Sequence, residues 1–434
     1  MKKQKVSQIA LVGLLTLAGL TQKANALPMF TQQTGMDCTG CHMQHMPRLN
    51  KFGRKFAASG MTMSQNIEDL NKTSDMDINP SLLIKSKFTR TWDKPDGKGA
   101  IKEDDTNDGD LSPVRMATFY MGGRVNENVG GLLNLGWRKN EGESISGRVT
   151  YANEIEDGYW GTTVYSTSNL GPFSGMEFYN TGLYKPLRTF DMWNYSNANQ
   201  STRIGAKSAT GLQVYCDKDN LINDGDHIFA TVGIYTAAQD NADADIRMAG
   251  NLLPFARIAY EHPIGDYNVI VGAFAIVGGE HVSDTQAISV NRETYGVDLQ
   301  IEGDIADKES SLTLTNVFRN KVDFTGIGAQ LSEDTEDIYN DSFSVEGAVS
   351  VTPEIVAKLG YMTYNDLSDY KYSNNSSQKI NVKDLDYAIN VGVDYAFIVT
   401  EMPLKLAVEY AWMNPELDRV KNYEAFMATF TLAF

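Results

Sequence analysis

The chain has 434 residues, with 38 Lys and Arg against 55 Asp and Glu, a net charge of −17, 42% hydrophobic residues and three cysteines. The hydrophobic share excludes a disordered chain, the acidic balance argues against nucleic acid as partner, and three cysteines cannot build a multi-disulfide scaffold. Mean hydropathy is −0.32 and only the N-terminus carries a long apolar run, which excludes a helical membrane protein.

The first element is that N-terminal run. Lys2, Lys3 and Lys5 precede an apolar stretch from Leu11 to Leu20, and Ala24-Asn25-Ala26 has the small-x-small form of a cleavage site. The stretch is too short to span a bilayer, so residues 1–26 are expected to be a signal peptide cut after Ala26. The alternative is a retained anchor. Cleavage removes four lysines and no acid, which takes the charge from −17 to −21.

Residues 27–64 carry the one strong chemical motif, Cys38-Thr39-Gly40-Cys41-His42. Two thiols three residues apart, followed at once by a histidine, form the attachment pattern of one haem c. The thiols add to the two haem vinyl groups, and His42 presents its imidazole to the iron as proximal ligand. A disulfide leaves His42 unexplained, and a zinc site needs two more ligands where only His45 is near. His45, Met43 and Met46 would share the proximal face. Met61 or Met63 lies far enough along to reach the distal side, where a thioether raises the potential. The alternative is that both pack around the macrocycle or that another group is the sixth ligand. Arg48, Lys51, Arg54 and Lys55 stand against a single acid, Asp37, in this segment. Arg48, Arg54 or Lys55 either pairs with haem propionates or is a solvated helix charge.

The run from Leu27 to Gly35, the CxxCH, and the run from Pro47 to Gly60 are distinctive together. Pro28, Phe30, Gln33-Thr34-Gly35, Pro47-x-Leu49 and Phe52-Gly53-Arg54-x-Phe56 carry the pattern. This segment resembles the fused monohaem cytochrome–porin family of outer-membrane iron oxidases. The resemblance implies an N-terminal cytochrome joined to a β-barrel. It implies electrons taken from extracellular Fe(II) and passed to a soluble periplasmic cytochrome.

After a linker at 65–81, the period changes to two. Tyr387, Ile389, Val391, Val393, Tyr395 and Phe397 alternate with Ala388, Asn390, Gly392, Asp394 and Ala396. An apolar face opposite a polar one is the outer-membrane strand pattern, and the expected fold is all-β: a transmembrane barrel of about 16 strands over 82–434. The expected strands are 82–92, 114–124, 129–138, 145–153, 159–167, 202–216, 227–235, 252–260, 267–277, 294–302, 311–319, 342–351, 355–364, 386–397, 404–413 and 424–434. An even count puts both ends in the periplasm, with short turns there and long loops outside. Trp92, Trp137, Tyr410 and Trp412 fall near strand ends, where girdles lie. The alternating Phe426 to Phe434 resembles a terminal insertion signal. The segment 176–184 could be a strand, but parity assigns 168–201 to one long loop that resembles a pore constriction.

Loop 93–112 holds seven acids (Asp93, Asp96, Glu103, Asp104, Asp105, Asp108 and Asp110), and the loop at 320–341 adds Glu333, Asp334, Glu336 and Asp337. Such carboxylates either funnel ferrous ions or are solvated loop charges. A calcium loop at Asp104 fails because its twelfth position is Arg115. Cys216 is left over once the haem takes Cys38 and Cys41, and is expected to face lipid or pack in the wall. His227, His262 and His281 stand singly. The leading expectation is electron transfer across the outer membrane, with the haem segment on the periplasmic side or within the lumen. The rivals are a diffusion or substrate-specific porin with an auxiliary haem segment, a haem enzyme, and an outward electron conduit.

Overall fold

The structure is a computed structural model that describes residues 28–44, 48–65, 76–92, 107–138, 142–167, 209–236, 252–283, 288–325, 340–366, 385–399, 402–415 and 422–433. Sixteen strands lie among them. The first eight are β1 (Asp77–Trp92), β2 (Asn107–Arg124), β3 (Val129–Arg138), β4 (Gly142–Ile155), β5 (Gly158–Thr167), β6 (Ala209–Asp219), β7 (His227–Thr236) and β8 (Leu253–Ile264). The second eight are β9 (Tyr267–Ser283), β10 (Ile288–Ile305), β11 (Lys308–Thr325), β12 (Asn340–Ser350), β13 (Ile355–Asp366), β14 (Leu385–Val399), β15 (Met402–Pro415) and β16 (Tyr423–Ala433). Each strand pairs antiparallel with its neighbours in sequence. β1 also pairs with β16, from Leu83 opposite Ala433 to Trp92 opposite Glu424, and this closes the barrel.

Each of the sixteen expected runs overlaps a strand, and several strands are longer; of the sixth run, 202–216, residues 202–208 lie outside the described residues and β6 is described from Ala209. β1 starts at Asp77 rather than at 82, because Asp77 to Ser81 continue the ladder opposite Arg124 to Tyr120. Main-chain pairing goes on where the side-chain alternation fades. The segment 168–201, with its constriction reading and its possible strand at 176–184, lies outside the described residues. So do the acids at 333–337 and all five at 93–105, while Asp108 and Asp110, expected in the loop, belong to β2, which starts at Asn107 rather than at 114.

Side chains alternate between the two faces of a strand. On β6, Gln213, Tyr215 and Asp217 are buried, while Leu212 and Val214 are 45% and 47% exposed. On β14, Asn390 and Asp394 are buried, while Ile389, Val391 and Val393 are exposed. A soluble sandwich would do the reverse. Apolar residues outside and polar residues inside make a lipid-facing wall around a polar lumen. Each Val or Ile moved from water into lipid contributes about 1.5–3 kcal/mol when fully covered.

Several of the buried charged groups inside are paired, which offsets the cost of burying them. Both terminal nitrogens of Arg257 donate to Asp298, at 2.8 and 3.0 Å. Lys358 Nζ lies 2.7 Å from Asp394 and 3.2 Å from Glu409. Two apolar patches also face inward, one around Tyr165, Tyr235, Phe255 and Phe274, the other around Met362, Tyr364, Met413 and Tyr423.

One end of the barrel carries short connections at 125–128, 156–157, 220–226, 265–266, 306–307 and 351–354. Asp157, Asn220, Ala306 and Asp307 adopt left-handed φ there, as tight hairpins demand. The turn at 220–226 is fixed by Asp226, whose carboxylate accepts the N–H groups of Leu221, Ile222 and Asn223. In outer-membrane barrels the short-turn end is the periplasmic one.

Candidate haem site

Residues 28–44 and 48–65 sit inside the short-turn mouth. They form three short helices, α1 (Met29–Thr34), α2 (Cys38–Cys41) and α3 (Lys51–Ala58). Contacts run round the inner wall. Arg124 of β2 donates to Thr62 O, Tyr215 of β6 to Ala58 O at 2.6 Å, and Gln44 to Glu309 O and Ala348 O on β11 and β12.

The segment folds by simple local rules. Asn50 caps α3 by accepting the Gly53 N–H at 2.9 Å. Phe56 packs edge-on against Phe30 of α1, 5.0 Å between ring centres. Gly60, at φ 73°, ends α3, and the Met61 N–H returns to Phe56 O at 3.0 Å. Two close approaches need glycine. A Cβ at Gly53 would lie 2.1 Å from Cys41 O, and one at Gly130 of β3 would lie 2.0 Å from Gly60 O. The first lets the CxxCH turn rest on α3, and the second lets the segment rest on the wall.

Cys38 and Cys41 are one helical turn apart, so they share a face. Both are half-buried and not joined to each other. Burial, and then the Asp37 carboxylate, push the Cys38 thiol up; burial, and then Cys38, push up Cys41. Asn50 Nδ2 donates to Thr39 O and Gly40 O, both at 3.1 Å, which holds the turn between the cysteines. His42 pairs with Leu49 in an antiparallel bridge, and its Nδ1 lies 3.1 Å from Arg48 O. A carbonyl only accepts, so Nδ1 carries the proton and the imidazole lone pair is on Nε2. Two thiols on one face and an adjacent imidazole with its lone pair on Nε2 fit the attachment of one c-type haem. Among the described residues no group of three or more His, Cys, Asp or Glu could hold a metal ion, and His45 and Met46 lie outside them.

Met61 is buried, and its sulfur accepts from Arg148 of β4 at 3.7 Å. Met63 is half-buried two residues on. Gln33 Nε2 donates to the carbonyls of both methionines at 2.8 Å.

The two arginines are taken by the wall, while Lys51 and Lys55 are exposed on α3. Arg54 is 1% exposed and donates to both oxygens of Glu302 and to Glu261 Oε1 at 3.1 Å. Arg48 is buried and bonds Ser311 and Thr313 of β11. Lys55 pairs with Asp219 at 3.1 Å, half in solvent. His227, which stands singly in the sequence, has Asp217 at 2.9 Å from Nε2 and Glu261 at 3.6 Å from Nδ1. No sequence spacing joins these groups; only the barrel does.

No protein-family model and no curated protein sequence matches the chain. Solved structures do. OprB of Pseudomonas putida, in its high-pH structure, aligns at TM-score 0.50 and 10% identity over 87% of this chain and 100% of that one. An anion-selective porin from Comamonas acidovorans aligns at TM-score 0.49 and 10% identity over 82% and 99%. The outer membrane channel DcaP of Acinetobacter baumannii aligns at TM-score 0.48 and 13% identity over 82% and 96%. The likeness to OprB is one of fold alone. With the closed sheet and the apolar outer face, it defines the class: an outer-membrane β-barrel with porin-like channel architecture.

Proposed function

We propose that this barrel carries one covalently bound haem in its periplasmic mouth and moves electrons across the outer membrane. The observation behind this is the burial of Arg54 between Glu261 and Glu302, which ties the CTGCH segment to the inner wall. A bound haem supplies one-electron chemistry at a potential set by its axial ligands, burial and nearby charge. Cys38 and Cys41 would hold it by thioether bonds, His42 by its Nε2, and Met61 or Met63 is the candidate for the sixth position. The chain's own residues fix the segment and narrow the mouth, with Cys38, Cys41 and His42 half-buried.

The resemblance of residues 27–60 to the cytochrome–porin family names extracellular Fe(II) as donor substrate and a periplasmic cytochrome as acceptor. Oxidising iron outside leaves insoluble ferric products outside. The acids of 93–112 are hard oxygen ligands that suit such an ion. The reading is tested by anaerobic mixing of the purified, haem-loaded protein with Fe(II) while the reduced-haem bands are followed. Fast, saturable reduction is expected. Full reduction by dithionite with none by Fe(II) would remove iron as the donor.

The porin-like fold and the polar lumen favour a second reading, a diffusion or substrate-specific channel in which residues 28–65 act as a plug. Purified protein that holds no covalent haem yet conducts ions in planar bilayers would establish it.

A further inference from the structure

We infer that Ser311 and Thr313, on the inner face of β11, are positioning residues for the axial histidine, acting through Arg48. This rests on the haem reading above. The Arg48 carbonyl accepts from the His42 ring, 3.1 Å from Nδ1, and also from the Met43 N–H at 3.0 Å. One oxygen therefore sets both the tautomer and the tilt of the imidazole, the outer-shell contact by which a protein tunes a metal-bound histidine.

Where that oxygen sits depends on the wall. The Arg48 guanidinium is buried, with Nη1 donating to Ser311 Oγ at 2.8 Å and Nη2 to Thr313 Oγ1. Ser311 Oγ donates onward to Gln44 Oε1 at 2.8 Å. Gln44 Nε2 donates to Glu309 O and Ala348 O, both at 3.0 Å. Gln44 and Arg48 are thus both pinned to the wall, Gln44 at β11 and β12 and Arg48 at β11, and Ser311 lies 263 positions from Arg48 in sequence. The cytochrome segment is incomplete without the barrel, because the wall finishes the support of its histidine. Ser311 and Thr313 are neutral, so their removal changes geometry and leaves the charge of the site as it was.

The test uses full-length, haem-loaded protein in detergent. Haem content is read by the pyridine haemochrome. Histidine strain is read by the iron–histidine vibration of the reduced form and by the midpoint potential. The double variant Ser311→Ala with Thr313→Val is expected to keep its haem while both readings shift. Thr315→Val, on the same face of β11 one inward position further along, is expected to match the wild type. Arg48→Lys keeps the charge but loses the two-pronged grip, and is expected to shift both readings the same way. It also serves if the double variant does not fold. Haem-loaded variants with both readings unchanged would overturn this inference alone. A wild-type chain that takes no haem would overturn the haem reading together with it.

Discussion

Arg54 Nη1 lies 2.9 Å and 3.1 Å from the two oxygens of Glu302, across 248 residues of sequence. Glu261 meets the other terminal nitrogen at 3.1 Å. Removing one partner of such a buried pair costs about 3–5 kcal/mol, since the remaining charge stays buried and uncompensated. Arg54→Met should therefore undock residues 28–65 while the strands stay paired. Limited proteolysis is the check: cleavage within the segment, with the barrel core surviving, is expected. Protection equal to the wild type would show that other contacts hold the segment unaided.

A chain lacking residues 28–65 should fold, because the sixteen ladders are made by strands alone. Its single-channel conductance in planar bilayers is expected to exceed that of the full-length chain. Equal conductance would mean that the segment does not restrict the mouth.

Cys38→Ser combined with Cys41→Ser should abolish covalent haem and leave the barrel intact. The first is read by mass and by haem staining after denaturation. The second is read by the heat-dependent gel migration of a folded barrel. Retained covalent haem would contradict the assignment of the motif.

Cys216 is exposed on β6, and its neighbours in sequence Tyr215 and Asp217 are buried on the inner side. Its thiol therefore faces lipid. In haem-loaded protein a membrane-soluble maleimide should modify one thiol per chain, and a charged, water-soluble maleimide should modify far less. Equal labelling by both reagents would place Cys216 in an aqueous path.

Lys55 is held above its usual value, first by the Asp219 hydrogen bond and against the opposing effect of burial. The folded state thus binds this proton more tightly than the unfolded chain. The contribution is complete below about pH 10 and is lost as pH rises through the raised folded value. Because the pair is half in water, it is worth no more than about 0.2–1 kcal/mol before salt screening. Hydrogen exchange in α3 should not respond to Lys55→Ala by more than that. Protection factors in α3, which are corrected for the base catalysis of exchange itself, should fall in the wild type only at strongly alkaline pH, and a fall between about pH 6 and 9 would have to come from another group.

The strands were legible because the lipid-facing pattern repeats every second residue, as at Ile389, Val391 and Val393, and no tertiary knowledge is needed to see it. The even strand count was legible for the same local reason. The CxxCH could be read from spacing alone. The docking contacts could not. Arg54 and Lys55 look alike in sequence, yet one is buried against two carboxylates and the other is half in solvent. What separates them is which face of α3 meets β8 and β10, and that is fixed by barrel closure. His227 is the same case: Asp217 and Glu261 come from strands on either side of β7.

The fit at Gly130 has a further consequence. The wall there leaves Gly60 less room than one methyl group needs. The next inward position up β3 is Leu132, two residues along. Sliding the segment by one rung would drive the Gly60 carbonyl into that leucine. The wall thus sets a limit on how deep the segment can sit in the barrel. The segment cannot be pushed deeper like a piston, so this mouth opens only by the segment tilting or moving outward.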